Sequence, residues 1–102
     1  MNKIYLVSYD IESNKLRLKL SKKLIAIGLT RIQYSLFLGS LSPTLYPKLM
    51  EALHQLWEDA KQNSDRIDVL SLSQQQIEKM VQLGGEHLDM DYITGQKHTL
   101  IL

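Results

Sequence analysis

Residues 4–10, with the sequence IYLVSYD, form a nearly continuous apolar run that ends at Asp10. Aromatic and aliphatic residues in such a run favour a β-strand, and apolar character at almost every position is typical of a central strand covered on at least one face. The stretch therefore predicts the first strand of a sheet, with the carboxyl group of Asp10 at its end.

After this strand, apolar residues recur at the spacing of a helix. The interval from Asn14 to Ile27 carries an apolar stripe with lysines on the opposite side, and Gly28 is the residue type that commonly ends a helix. We therefore predict the first helix here. The stripe consists of Leu16, Leu20, Leu24 and Ile27, and the lysines are Lys15, Lys19 and Lys22.

Residues 31–39, with the sequence RIQYSLFLG, again favour β-structure. The sequence leaves two forms open: one bent strand, or two short strands that meet near Tyr34 and Ser35. A second helix follows, because Ser42 and Pro43 are typical of a helix start. Its apolar stripe is Tyr46, Leu49, Met50, Leu53, Leu56 and Trp57.

Pro47 leaves the start of the second helix open. A proline has no N–H group and would remove a hydrogen bond from a helix that began at Pro43. Either the first turn is separate, or the regular helix begins near Pro47.

The remaining chain predicts a strand at residues 66–72, a helical turn at 73–77 and a short strand at 79–83. The resulting order predicts an α+β fold, a ferredoxin-like sandwich in which an antiparallel sheet carries both helices on one face. Residues 1–85 would form this domain. Residues 86–102 would be a C-terminal extension whose last residues, 99–102, add a strand to a sheet edge of the same or a partner subunit.

Composition indicates one soluble globular domain, because 44% of the 102 residues are hydrophobic and 23% are charged. No apolar stretch approaches the roughly 20 residues that cross a bilayer, and no signal peptide pattern opens the chain, so we expect a cytoplasmic protein and no membrane partner. The absence of cysteine excludes disulfides, thiolate zinc sites and cysteine nucleophiles.

Charge is divided unevenly along the chain. Residues 1–48 carry eight basic and two acidic side chains, whereas the rest carry four basic and nine acidic ones. A basic half is what a surface that binds a polyanion would require, although a solvated helix face explains the same excess equally well.

Three segments resemble one known family. They are Tyr9-Asp10-Ile11, the sequence GLTRIQYSLFLG at residues 28–39 and Leu41-Ser42-Pro43, with the basic residues Arg17 and Lys19 between them. Their order and spacing over residues 3–85 are similar to the CRISPR-associated endoribonuclease two family, whose members accompany the CRISPR integrase in spacer acquisition.

The resemblance implies a symmetric homodimer in which two copies of Asp10 face each other and bind Mg²⁺. It implies a metal-dependent endonuclease that hydrolyses single-stranded RNA or double-stranded DNA, with the integrase subunit as a partner. Two alternatives stay open: a DNA-bridging subunit of the integrase complex without catalysis, and a toxin-type ribonuclease on the same fold. Without the resemblance, Asp10 reads as an ordinary residue that ends a strand and caps a turn.

Arg17 and Arg31 are the candidate catalytic arginines beside Asp10. Helical side chains lean toward the N-terminus, so Arg17 would point back over the end of the first strand, where a guanidinium suits a phosphate. The alternative for both arginines is an ion pair, for instance with Glu12. Lys15, Lys19 and Lys22 would follow the nucleic-acid backbone.

Tyr9, Ser35 and Phe37 complete the candidate substrate-binding residues. An aromatic ring there would stack on a base, and the Ser35 hydroxyl would bond a phosphate. Core packing is the simpler explanation for Phe37. For Tyr9, core packing and stacking on a base explain the residue equally well. The three histidines are too far apart in sequence to predict a zinc site.

Overall fold

The computed structural model describes residues 1–60 and 64–96. These residues form strands and helices in the predicted alternation. The strands are β1 (Lys3–Asp10), β2 (Thr30–Gln33), β3 (Leu36–Leu41) and β4 (Arg66–Leu72); the helices are α1 (Asn14–Ile27), α2 (Leu45–Ala60), α3 (Gln74–Glu78) and α4 (Met90–Ile93).

The four strands form one antiparallel sheet in the order β2-β3-β1-β4. The first strand in sequence therefore lies inside the sheet, where Val7 is opposite Phe37 on one side and Val69 on the other. This order, with a helix after β1 and another after β3, confirms the predicted ferredoxin-like fold.

Helices α1 and α2 pack on one face of the sheet, as predicted. Leu20 and Leu24 of α1 and Leu49 of α2 are fully buried, and they pack against Val7 and Phe37. Each such side chain contributes roughly 1.5–3 kcal/mol through burial. The main core therefore lies between the helices and this face of the sheet.

The second face of the sheet is partly covered by the C-terminal part of the chain. Ile77, at α3, and Ile93, in α4, pack against Ile4 and Leu38 in a smaller apolar cluster. This packing lies at the end of β1 that is far from Asp10. Residues 86–96 are thus attached to the sheet face and contain a helical turn, while the predicted strand at 99–102 lies outside the described residues.

Two open alternatives are decided by local geometry. The chain turns at Tyr34 and Ser35, so residues 31–39 form two strands and not one bent strand. Helix α2 begins at Leu45, between the two predicted starts, and the Ser42 hydroxyl accepts a hydrogen bond from the Leu45 N–H at 3.1 Å. Pro47 then falls in the first turn, where its missing N–H costs no helical hydrogen bond.

The predicted strand at residues 79–83 is wrong. This segment forms neither strand nor helix, and the side chains of Val81 and Leu83 are 79% and 92% exposed. Apolar composition alone does not make a strand, because the backbone also needs a neighbouring strand for its hydrogen bonds. Along the described chain, β4 pairs with β1 on one side and with no segment on the other.

None of the helices within residues 1–60 and 64–96 is long and apolar enough to cross a membrane.

Candidate functional site

Asp10 ends the interior strand β1 and is exposed. Successive side chains of a strand point to opposite faces, and Tyr5, Val7 and Tyr9 belong to the helix-covered core. Asp10 therefore lies on the second face of the sheet, at the end that α3 and α4 leave uncovered. A carboxylate in this position is open to a ligand or to another subunit.

Two residues of β4 share that end of the second face with Asp10. Arg66 is directly opposite Asp10 in the strand register, and Asp68 is opposite Ser8. Asp68 is therefore a diagonal neighbour of Asp10, a relation that usually separates side chains by about 7–8 Å. Nothing in the sequence pattern singles out Asp68; its place near Asp10 follows from the antiparallel register of β4 against β1.

Arg66 is paired within its own strand. Its Nε donates a hydrogen bond to Asp68 Oδ2 at 2.7 Å, and this bond, followed by the charge of Asp68, raises the pKa of Arg66. Both side chains are more than half exposed, so the pair adds little to stability. Arg66 thus partly neutralises the acidic character of this surface without burying it.

Arg17 leans back toward the end of β1, and its partners there are main-chain oxygens. Its Nη1 donates to the carbonyl of Ile11 at 2.6 Å and to that of Glu12 at 3.1 Å. At Glu12 the partner is thus the main-chain carbonyl and not the carboxylate of the alternative ion pair. Arg17 holds the loop that immediately follows Asp10.

Asp65, the residue before β4, holds the same loop. Its side chain is buried, and Oδ1 accepts a hydrogen bond from the Glu12 N–H at 2.9 Å. At the far end of the loop, the Ser13 hydroxyl accepts from the Leu16 N–H at 3.3 Å and caps α1. The segment after Asp10 is thus bound on both sides, and nothing in the sequence pattern singled out Asp65.

Arg17 and Arg31 both lie on the helix-covered side of the sheet. They border a cavity of about 290 Å³ at the same end of the sheet as Asp10 but on the other face. We call this cavity the Tyr34 pocket. The residues that define it are Tyr9, Asn14, Arg17, Leu18, Ser21, Arg31 and Tyr34.

The predicted aromatic residues belong mainly to the core. Phe37 has no exposed surface, and Tyr9 is buried with its ring 6.0 Å from that of Phe37. Phe37 therefore shows the simpler packing role, whereas Tyr9 also borders the Tyr34 pocket. Ser35 is half-buried, and its carbonyl accepts the Tyr9 N–H at 3.1 Å.

The three predicted lysines lie on the exposed surface of α1. Lys19 and Lys22, together with Lys23, border a groove between α1 and α2 that Asp59 also lines. Lys15 stands in the first turn of α1. The structure therefore brings most of the basic residues to the helix layer, away from the face that carries Asp10.

The family comparison identifies related proteins over most of the chain. Residues 3–80 match the model of the family described as CRISPR associated protein Cas2. The CRISPR-associated endoribonuclease Cas2 2 of Pyrobaculum aerophilum is 35% identical over 78 residues, which cover 76% of this chain and 82% of that protein. The CRISPR-associated endoribonuclease Cas2 of Korarchaeum cryptofilum is 37% identical over 82 residues, with coverage of 78% and 82%.

Solved structures share the fold. A crystal structure of cas2 covers 100% of both chains with a TM-score of 0.65 at 16% identity. A chain of the structure described as "Partial Cas6-RT-Cas1--Cas2 complex" is 28% identical, with a TM-score of 0.63 and coverage of 79% of this chain and 90% of that one. The family match, the relatives and the fold agree, and the chain therefore belongs to the CRISPR associated protein Cas2 family.

Proposed function

We propose that this chain is a cytoplasmic nuclease of CRISPR spacer acquisition that hydrolyses phosphodiester bonds in RNA or duplex DNA with the help of Mg²⁺. Family membership supports the proposal, as do relatives named endoribonucleases. The observation that carries it is the exposed carboxylate of Asp10 at the uncovered end of the sheet, with Asp68 as its diagonal neighbour. Family membership also favours this role over a toxin-type ribonuclease.

The donor set on this face fits Mg²⁺. This ion is held by one or two carboxylates and substrate phosphate oxygens, and it keeps several waters. Asp10 and Asp68 supply carboxylates, while residues 1–60 and 64–96 contain no cluster of three or more potential metal-binding side chains. When bound, the ion would polarise a phosphate and lower the pKa of a bound water.

A symmetric homodimer would complete this donor set. Asp10 lies on a surface that residues 1–60 and 64–96 leave open, so a two-fold axis near it would bring a second Asp10 to the same ion. Leu70, on β4, supports this arrangement, because its side chain faces the same side of the sheet and is 53% exposed.

The other candidate residues take different roles in this proposal. Arg17 is a positioning residue, since its guanidinium holds the loop after Asp10. Arg31 has an exposed guanidinium and would bind a substrate phosphate. Ser35 would support the turn beside Tyr9, and its hydroxyl would donate a hydrogen bond to a substrate phosphate. Lys15, Lys19 and Lys22 would contact the backbone of the nucleic acid.

Cleavage by wild type and by Asp10→Asn tests the proposal. We expect the cleavage rate of the variant on single-stranded RNA or duplex DNA with Mg²⁺ to be lower by about 100-fold or more. Asn has nearly the size and shape of Asp but lacks the negative charge that binds the metal. Chelation of the metal should abolish the wild-type rate.

Glu51→Gln is the matched control, because Glu51 is an exposed acid of α2 away from this face. Its rate should equal that of the wild type. Equal rates for wild type and Asp10→Asn would remove Asp10 from the chemistry.

A bridging role in the integrase complex is the second candidate function. It is favoured by the similarity to a chain in a complex whose name contains Cas1, and by the exposed lysines of α1. In this case Asp10→Asn would still bind duplex DNA and the integrase, and the wild type would cleave nothing. Cleavage by the wild type distinguishes the two functions, and a pull-down of the integrase with both proteins tests the bridging contact itself.

A further inference from the structure

Arg31 lies between two aromatic rings. Its guanidinium carbon is 5.2 Å from the ring centre of Phe37 and 6.0 Å from that of Tyr34. Both distances suit a cation–π contact. Phe37 is completely buried, whereas Tyr34 is 74% exposed, so one ring supports Arg31 from the core and the other leaves a free face toward solvent.

The turn that carries Tyr34 is fixed to the end of β1. The Ser35 carbonyl accepts the Tyr9 N–H at 3.1 Å, and the register between β2 and β3 shifts between Arg31 and Gln33. Such irregularities redirect side chains at the end of a strand pair. The ring of Tyr34 is therefore presented beside Tyr9, the residue that precedes Asp10.

The Tyr34 pocket is basic. Arg17 and Arg31 border it, and no Asp or Glu of the described chain does so. The Nε of Arg17 is buried there and has no hydrogen-bond partner among the described residues. Two guanidinium groups without a facing carboxylate favour an anion, and Arg31 is the one exposed enough to reach it.

We propose that the Tyr34 pocket binds one unpaired nucleotide, whose base stacks on Tyr34 while its phosphate contacts Arg31. In a duplex the faces of the bases are already stacked on one another, so an exposed tyrosine ring can add affinity only for an unpaired base. The pocket thus deepens the proposed nuclease function, on which it rests, by binding single-stranded substrate at the end of the sheet that carries Asp10, on the other face.

Binding without metal tests this site separately from cleavage. The probe is a short single strand, RNA or DNA, with one 2-aminopurine base, whose fluorescence falls when the base stacks on an aromatic ring. The same sequence annealed to its complement is the duplex probe. Since one stacked base contributes about 1–3 kcal/mol, Tyr34→Ala should weaken single-strand binding about 5-fold or more and leave duplex binding unchanged.

Two further variants control the experiment. Tyr34→Phe keeps the ring and should bind as the wild type does, with the same quenching of 2-aminopurine. Tyr92→Ala removes another exposed tyrosine, in α4, and should have no effect. Unchanged single-strand binding by Tyr34→Ala, or an equal loss on duplex, would overturn the inference.

The outcomes separate this site from the nuclease proposal. Asp10→Asn should keep the Tyr34-dependent binding while losing cleavage. If the wild type cleaves nothing but binds single strands through Tyr34, the proposed nucleotide site is supported and the proposed nuclease activity is contradicted. Comparison of the RNA and DNA probes shows whether the 2′-hydroxyl contributes.

Discussion

Asp65 and Glu12 are joined across 53 positions of sequence by one hydrogen bond, in which the buried carboxylate accepts the main-chain N–H. Asp65→Ala would leave that N–H without its acceptor. We expect a loss of about 1–3 kcal/mol in the free energy of unfolding, measured by urea denaturation. The variant should also cleave more slowly, because the loop after Asp10 would lose one of its two anchors.

Asp65→Asn and Glu51→Ala control this prediction. The amide oxygen of Asn can still accept the bond, so its loss should be smaller than that of Ala. Glu51 is exposed, and its replacement should change stability by no more than about 0.5 kcal/mol. A loss for Asp65→Ala no larger than that of Glu51→Ala would contradict the anchoring role.

At the residue scale, the features that the sequence predicts are those whose signal is local. Asp10 was found as the end of an apolar run, and the backward lean of Arg17 follows from helix geometry. The carbonyl partners of Arg17 and the proximity of Asp68 could not be predicted in this way. Both depend on loop conformation and strand register, which packing between distant segments determines.

At the scale of elements, Gly28 fixes where α1 ends. Its φ of 118° is in the left-handed region, and its N–H bonds the Ile25 carbonyl at 3.0 Å. A Cβ built on Gly28 would meet nothing within 4 Å, so the cost of a side chain is conformational and not steric crowding by neighbours. Gly28→Ala should lower the unfolding free energy by about 1 kcal/mol or more in urea denaturation.

Gly28→Asn is the informative companion variant. Asn tolerates the left-handed region better than Ala, so it should be less destabilising even though it is larger. If Gly28→Asn lowered the free energy of unfolding as much as Gly28→Ala, steric crowding and not backbone conformation would be the cause of the loss.

The elements also differ in how well sequence determined them. Helix α1 has both its stripe and its end signals within its own residues, and its predicted bounds are confirmed. Residues 79–83 have the composition of a strand but lie beside no strand of the described chain. A strand needs a neighbouring strand for its backbone hydrogen bonds, and one sequence alone does not show which segment that neighbour is.

At the scale of the whole molecule, the second face of the sheet is divided in two. Its Ile4 and Leu38 end is covered by Ile77 and Ile93, while its Asp10 end is open. The sequence predicted the helix layer on the first face, but not this cover, because short helices in a polar tail carry a weak periodic signal. A second copy of the chain would therefore have the Asp10 end available.

Leu70→Lys tests that arrangement. We expect the wild type to have about twice the 11.8 kDa mass of one chain in light scattering after size exclusion, and the variant to shift toward a single chain. Ile25→Lys is the matched control, because Ile25 is 54% exposed on α1. Equal masses for the wild type and Leu70→Lys would place the subunit contact elsewhere.

The interior position of β1 has a consequence for synthesis of the protein. β1 precedes both of its neighbours in the sequence, and the pairing of Ile4 with Leu72 and of Asp10 with Arg66 joins segments more than 50 residues apart. Contacts so distant in sequence form late in folding. A nascent chain would therefore carry Asp10 without Arg66 and Asp68 beside it until β4 has been synthesised.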